Sequence, residues 1–211
     1  MQIAAVQFDI AWQNPQANRE TVAQMLRSAR HLEAGALIVL PEMFSTGFTM
    51  DVSAATREHE QTLDFLKTLS RQHAAYVLAG LAAPASEGRA RNQLIVTCPG
   101  GDVVATYTKL HPFTLGGEHE HFVPGQSIIA FTCNDFTVAP FICYDLRFPE
   151  VFRAAVRRYR ANLFIVIANW PLSRVEHWIA LLRARAIENQ AYVLGVNRCG
   201  RDPNLQYPGR S

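Results

Sequence analysis

The stretch Phe141-Ile142-Cys143-Tyr144-Asp145-Leu146-Arg147-Phe148-Pro149-Glu150 decides how this chain reads. Strand-forming residues 136–142 stop at Cys143, and a helical pattern through Val151, Phe152 and Val156 begins within a few residues. Cys143 therefore sits at a strand-to-helix turn. Such a turn holds a side chain at the end of a sheet and aims the first N–H groups of the helix at whatever that side chain attacks. A helix N-terminus also lowers a thiol's pKa, so the position is expected to favour the reactive thiolate. The alternative is a small buried hydrophobe, the usual role of a free cysteine at a strand end.

Two further stretches deliver chemistry in the same way. Residues 36–40 are a short apolar run followed at once by Pro41 and Glu42, which puts a carboxylate just past the end of an expected parallel strand. Thr106-Tyr107-Thr108-Lys109 does the same for an ammonium group. Catalytic groups in open α/β folds gather beyond strand ends. Glu42, Lys109 and Cys143 thus make a coherent set of base, cation and nucleophile. Taken singly, Glu42 reads equally well as an exposed loop acid and Lys109 as a solvated lysine; their joint placement with Cys143 carries the functional reading.

Pro41-Glu42-Met43-Phe44, Tyr107-Thr108-Lys109-Leu110-His111 and the segment from Cys143 to Glu150 resemble, in order and spacing, the signatures of the nitrilase superfamily of carbon–nitrogen hydrolases. The resemblance covers nearly the whole chain, including Ala168-Asn169-Trp170-Pro171 and residues 183–193, and it is nearest to the ω-amidase branch. It implies hydrolysis of the terminal amide of a small 2-oxo acid amide such as 2-oxoglutaramate. It also implies a four-layer α-β-β-α sandwich with two mixed β-sheets, and a homodimer formed through the helix after the Cys143 strand and the helix that follows the next strand. Family chains continue into further strands and a tail, so residues 1–211 are expected to be a single hydrolase domain lacking those parts, with an exposed sheet edge at residues 192–197.

Composition agrees with a globular enzyme. The 211 residues are 49% hydrophobic and 18% charged, with a formal charge of +2. Nothing in that balance calls for nucleic acid or an anionic membrane as partner. The amino end has no positive n-region, and Gln7 and Asp9 interrupt any apolar core, so no signal peptide is read and a cytoplasmic location is expected. Four cysteines, at 98, 133, 143 and 199, lack the close paired spacing of a zinc or redox motif.

In order, residues 2–8 alternate as a strand. Asn14 and Pro15 open a helix carrying Val22, Met25, Leu26, Ala29 and Leu32, which Gly35 is expected to end. Residues 45–50 form a polar loop over the site. A second helix bears Leu63, Leu66, Leu69 and Ser70, and a strand follows at 76–81. Residues 91–97 and 103–108 flank a Pro99-Gly100-Gly101-Asp102 turn. A long connection without regular pattern, 110–126, is followed by a hairpin of 127–131 and 136–142. Beyond the helix after Cys143, ending near Arg160, come a buried strand at 163–168, a helix at 175–190 with Trp178, Leu181, Leu182 and Ile187 at core spacing, and a strand at 192–196. Alternating helices and strands with hairpins give the α/β class with mixed sheets.

An amide carbon is a poor electrophile, so the site needs a nucleophile, a proton shuttle and positive charge where the oxyanion forms. Cys143 would attack and form a thioester, with Glu42 as proton carrier and Lys109 plus the Tyr144 N–H holding the oxyanion. The resemblance adds a second carboxylate in the 110–126 loop. Glu118 is preferred on its spacing to Pro124, with Glu120 as competitor, and it would orient Lys109 or assist the water. Tyr144, Arg147, Asn169 and Trp170 are expected around the substrate, with Phe48 and Phe113 as lids. Arg147 reads either as a partner of its neighbours or as a contact for a substrate carboxylate. Asp145, Asp9, Glu188 and Asn189 read as structural.

No cofactor and no metal is expected. Three rivals stand beside the ω-amidase reading: another amidase or a nitrilase of the same superfamily, a metal-dependent hydrolase built on His111, His119, Glu120 and His121, and a truncated, inactive binding module.

Overall fold

The computed structural model describes residues 1–29 and 32–211. One sheet runs in chain order, β1 (Ile3–Ala5), β2 (Leu37–Val39), β3 (Tyr76–Pro84), β4 (Ala90–Thr97) and β5 (Val103–Thr108). Its first three strands are parallel and its last two pairings antiparallel. The second sheet is ordered β6 (Phe131–Cys133), β7 (Phe136–Ile142), β8 (Leu163–Ala168) and β9 (Tyr192–Asn197), antiparallel at β6–β7 and parallel thereafter. A small hairpin, β10 (Cys199–Arg201) with β11 (Gln206–Pro208), follows.

Both faces of the inner strands are covered, which is why they read as continuous apolar runs. Leu37 and Val39 of β2 point into a core shared with the second sheet, where Tyr107 meets Phe141 edge-on at 5.9 Å. Ile38 and Leu40 point the other way, onto α1 (Pro15–Ser28) and α3 (His59–His73), against Val22, Leu26, Leu66 and Leu69. Across the molecule α5 (Pro149–Tyr159) and α6 (Val175–Asn189) lay Phe152, Ala155 and Trp178 on the second sheet. The result is the expected α-β-β-α layering of two mixed sheets.

Several boundaries differ from the sequence reading, each for a local reason. Asn14 caps α1 by accepting from the Ala17 N–H at 3.1 Å, but the helix ends at Ser28, where Ala29 turns extended. Residues 30–31 of that expected helix lie outside the described residues, and Gly35, at φ +80°, belongs to the turn before β2. Regular pairing of β1 stops at Ala5, although Val6, Phe8 and Ile10 keep alternating into the core. β3 runs three residues beyond Leu81 because β4 pairs with it as far as Pro84↔Ala90. The short helix α2 (Val52–Thr56), capped by Asp51, went unread. The 110–126 connection contains a 3-10 turn, Thr114–Gly116, and the single-turn helix α4 (Glu118–His121). β6 starts at Phe131 rather than 127.

Ile187 is 77% exposed rather than core. Trp178, Leu182, Arg185 and Asn189 share the inner face of α6, and a residue nine positions after Trp178 lies half a turn away from it. β9 is the last strand of its sheet among the described residues.

Candidate active site

Glu42 follows β2 in a tight turn in which Met43 adopts φ +42°. The turn presses against β3 at Gly80, where a Cβ would lie 2.6 Å from the Glu42 Cα and 2.8 Å from the Met43 nitrogen. Only glycine lets the backbones approach so closely. The Glu42 side chain is wholly buried and is held from three other strand ends. Its Oε1 accepts from Lys109 Nζ, just past β5, at 2.9 Å and from Asn92 Nδ2 on β4 at 2.8 Å. Its Oε2 accepts from the Asn169 backbone N–H, just past β8, at 2.8 Å.

Lys109 lies between two carboxylates. It also donates to Glu118 Oε2 at 2.8 Å, and Asn92 Nδ2 gives its other hydrogen to Glu118 Oε1 at 2.8 Å. The Phe113 N–H donates to Glu118 Oε2 at 2.6 Å, tying the long connection to the cluster. Glu120, on the same single-turn helix, faces solvent with 69% of its side chain exposed, so Glu118 is the carboxylate that enters. Burial would raise the Glu42 carboxyl, but the Lys109 charge and the hydrogen bonds outweigh it and hold the group below its ordinary value. Burial likewise opposes the Lys109 ammonium, yet the Glu118 and Glu42 charges raise it above its ordinary range.

Cys143 opens a 3-10 turn, Cys143–Arg147, directly after β7 and adopts φ +45°, a left-handed conformation that a non-glycine residue reaches only under local constraint. Asp145 supplies that constraint. It is fully buried, accepts from the Ile142 N–H at 3.1 Å, the Tyr107 O–H at 2.7 Å and the His111 N–H at 3.0 Å, and lies 2.8 Å from His111 Nδ1. The His111 ring in turn stacks on Phe148 at 3.7 Å. Asp145 is thus structural, as read.

The state of the thiol corrects the sequence reading. Burial, reinforced by the Glu42 charge, pushes Cys143 well above its ordinary value, and Lys109 only partly opposes this. A single 3-10 turn has a weaker aligned dipole than a long helix, and the carboxylates around it dominate. The surroundings thus favour the neutral thiol at Cys143 and the charged form at Glu42.

Cys143 and Glu42 border one cleft of about 450 Å³, its open mouth included. All six expected substrate contacts lie on it: Tyr144, Arg147, Asn169, Trp170, Phe48 and Phe113. Lys109 and Glu118 are not on its wall and reach it through Glu42. Arg147 lies over the Trp170 ring at 4.9 Å and the neighbouring Tyr144 ring at 6.0 Å, with Nη2 3.2 Å from His177 Nδ1. Asp9 pairs with Arg198 at 2.8 Å, Glu188 with Arg185 at 3.0 Å, and Asn189 donates to the Arg185 carbonyl. Those three are structural.

Four further residues at the site have no counterpart in the sequence analysis: Asn92, which bonds to Glu42, and Arg174, Leu205 and Tyr207, which line the cleft. Asn92 was traceable in principle, since β4 was read correctly and Asn92 is the polar inward residue that pairs through its carbonyl with the Lys109 N–H. Leu205 and Tyr207 come from the β10–β11 hairpin, which carried no signal. Among the described residues no group of three or more His, Cys, Asp or Glu side chains is placed to hold a metal ion. His119 and Glu120 face solvent, and His111 is engaged with Asp145.

A buried glutamate and lysine thus meet a half-buried cysteine at strand ends of an α-β-β-α sandwich, an arrangement suited to hydrolysis by a thiol nucleophile. The chain belongs to the carbon-nitrogen hydrolase family, whose sequence profile matches residues 2–211. It is 36% identical to the omega-amidase YafV of Yersinia enterocolitica, over 100% of this chain and 80% of that protein. It is 31% identical to the 2-oxoglutaramate amidase of Bacillus subtilis, over 99% of this chain and 80% of that one. The crystal structure of XC1258 from Xanthomonas campestris, a CN-hydrolase superfamily protein with an arsenic adduct in its active site, superposes with a TM-score of 0.89 at 31% identity, covering 98% of this chain and 78% of that one. A glutamate-to-glutamine form of the Nesterenkonia sp. AN1 amidase, with the acetamide moiety of fluoroacetamide added covalently at its active-site cysteine, also gives 0.89, at 26% identity over 99% and 80% of the two chains. The protein is therefore an amide-hydrolysing enzyme.

Proposed function

We propose that the enzyme hydrolyses the terminal amide of a small 2-oxo acid amide, such as 2-oxoglutaramate, through a thioester on Cys143. The observation that carries this reading is the meeting of the Cys143 thiol and the charged Glu42 carboxylate on one cleft, with Lys109 bound to Glu42. Glu42 takes the thiol proton as Sγ attacks the amide carbon. The positive charge at Lys109, with the Tyr144 N–H, stabilises the oxyanion, a kind of contribution typically worth about 3–4 kcal/mol. As the C–N bond breaks, Glu42 returns the proton to the leaving ammonia. It then activates the water that cleaves the thioester and regenerates the thiol. Glu118 and Asn92 hold Lys109 and Glu42 in register throughout.

Proton transfer from a raised thiol to a lowered carboxylate is uphill, which suits a site that forms the thiolate only when substrate is in place. The likeness to ω-amidases and a 2-oxoglutaramate amidase supports the substrate, and Arg147 offers a planar guanidinium for its carboxylate. The test is ammonia release from 2-oxoglutaramate, 2-oxosuccinamate, glutamine and simple nitriles. The 2-oxo acid amides should be fastest; a nitrile converted fastest would overturn the assignment.

A homodimer through α5 and α6 belongs to the same proposal. Ile187 and Tyr192, 77% and 70% exposed, lie together beside a surface hollow at the end of α6 and the start of β9 and suit such a contact. Sedimentation giving a monomer at micromolar concentration would remove it. The proposal also locates the enzyme in the cytoplasm, and four unpaired cysteines suit a reducing compartment.

A further inference from the structure

Most hydrogen-bonding side chains on the cleft wall are already occupied. Both Glu42 oxygens accept bonds, Asn169 Nδ2 donates to the Glu42 carbonyl at 2.7 Å, and the Tyr207 O–H donates to Asp202. Asn169 Oδ1 is left without a partner, and two guanidiniums line the same wall, that of Arg147 with one nitrogen 3.2 Å from His177 Nδ1. Arg147 rises from the nucleophile turn, and Arg174 ends the 3-10 turn Leu172–Arg174 before α6. Arg174 lies over the Phe113 ring at 5.4 Å, and its carbonyl accepts from Trp170 Nε1 at 2.7 Å, which fixes its backbone at the cleft. Both side chains are half-buried, and none of the ion pairs among the described residues involves either one.

Two partly desolvated cations on a largely apolar wall, with no counter-charge, disfavour the empty cleft; an anion between them offsets that. Glu42, on the same cleft, brings negative charge to it, because two carboxylates share the one Lys109 ammonium. A ligand with an anionic group and an amide is therefore turned one way only, the anion repelled from Glu42 and drawn to the arginines. We propose that Arg174 is a specificity-determining residue which, with Arg147, binds the substrate's carboxylate and so selects amides that carry one at the far end. This rests on the amide-hydrolysing reading of Cys143.

The experiment compares succinamate with butyramide, amides of equal chain length with and without the carboxylate, as the ratio of their kcat/KM values. The native enzyme should favour succinamate. Arg174→Gln should lower the ratio by about tenfold or more, mainly through KM for succinamate, as expected for loss of a charge-assisted contact. Arg174→Lys should retain most of it. A ratio unmoved by Arg174→Gln, or Arg174→Lys as damaging as Arg174→Gln, overturns the proposal, the latter because packing on Phe113 rather than charge would then be at stake. A native enzyme that cleaves both amides without preference overturns it too, while leaving the chemistry at Cys143 intact. Undiminished turnover in Cys143→Ala would instead sink the underlying reading.

Discussion

At the residue scale the centre of the molecule is an electrostatic balance among Glu42, Lys109, Glu118 and Cys143. Removing the Glu42 charge should do two opposite things. Turnover falls by roughly 10²–10⁴, the usual effect of losing a positioned proton carrier. The thiol, no longer facing that carboxylate but still facing Lys109, should ionise more readily. Alkylation of Cys143 by iodoacetamide, followed against pH, should therefore have a lower midpoint in Glu42→Gln than in the native enzyme; an unchanged or higher midpoint would show the electrostatic account to be wrong. Lys109→Met leaves two buried carboxylates without their ammonium and should destabilise the fold by about 3–5 kcal/mol in urea titrations. Residue types and their positions past strand ends were legible from the chain. The sense of the thiol's shift was not, because it depends on how many carboxylates surround the sulfur, and Glu118 arrives through a connection without periodic pattern.

At the scale of elements, the site exists because five strand ends meet, those of β2, β4, β5, β7 and β8, and Gly80 on β3 presses closely against the Glu42 turn. A methyl group there collides with the Glu42 Cα and the Met43 nitrogen, both backbone atoms that cannot swing aside. Gly80→Ala should thus lower stability by about 1–3 kcal/mol, as overpacking does, and should depress turnover further by shifting Glu42. Calorimetry with steady-state kinetics checks both, and a variant equal to the native protein in each would contradict the packing described. Strands β4, β5, β7 and β8 were readable to the residue or nearly so, because turn residues bound β4 and β5 while burial on both faces marks most of β7 and all of β8. The ends of α1 and β6 and the hairpin of β10 with β11 were not. Their limits come from long-range pairing, such as the Cys199 N–H donating to the Phe8 carbonyl at 3.0 Å, which no local pattern announces.

For the whole molecule, the same buried charges set the pH range of stability. Glu42 is held below its ordinary 4.5, so its contribution is complete above that value and is lost as pH falls through its lower folded pKa. Lys109 is raised above its ordinary 10.5, so its contribution is complete below that value and fades as pH climbs toward the folded one. Cys143 acts in the same alkaline sense from its ordinary 9.0, since the unfolded thiol ionises there while the buried one does not. The thermal midpoint should form a plateau between about pH 5 and pH 9 and fall on both sides. Glu42→Gln should flatten the acid flank; an acid flank identical to the native one would argue against the pairing.

The meeting of Cys143 and Glu42 on one cleft, with Lys109 bound to Glu42, is tested most directly by rapid-quench mass spectrometry during turnover of 2-oxoglutaramate. An acyl adduct should be found on the peptide containing Cys143, forming no later than the first ammonia released and absent from Cys143→Ala. Ammonia release without an adduct, with Cys143→Ala turning over at the native rate, would contradict it.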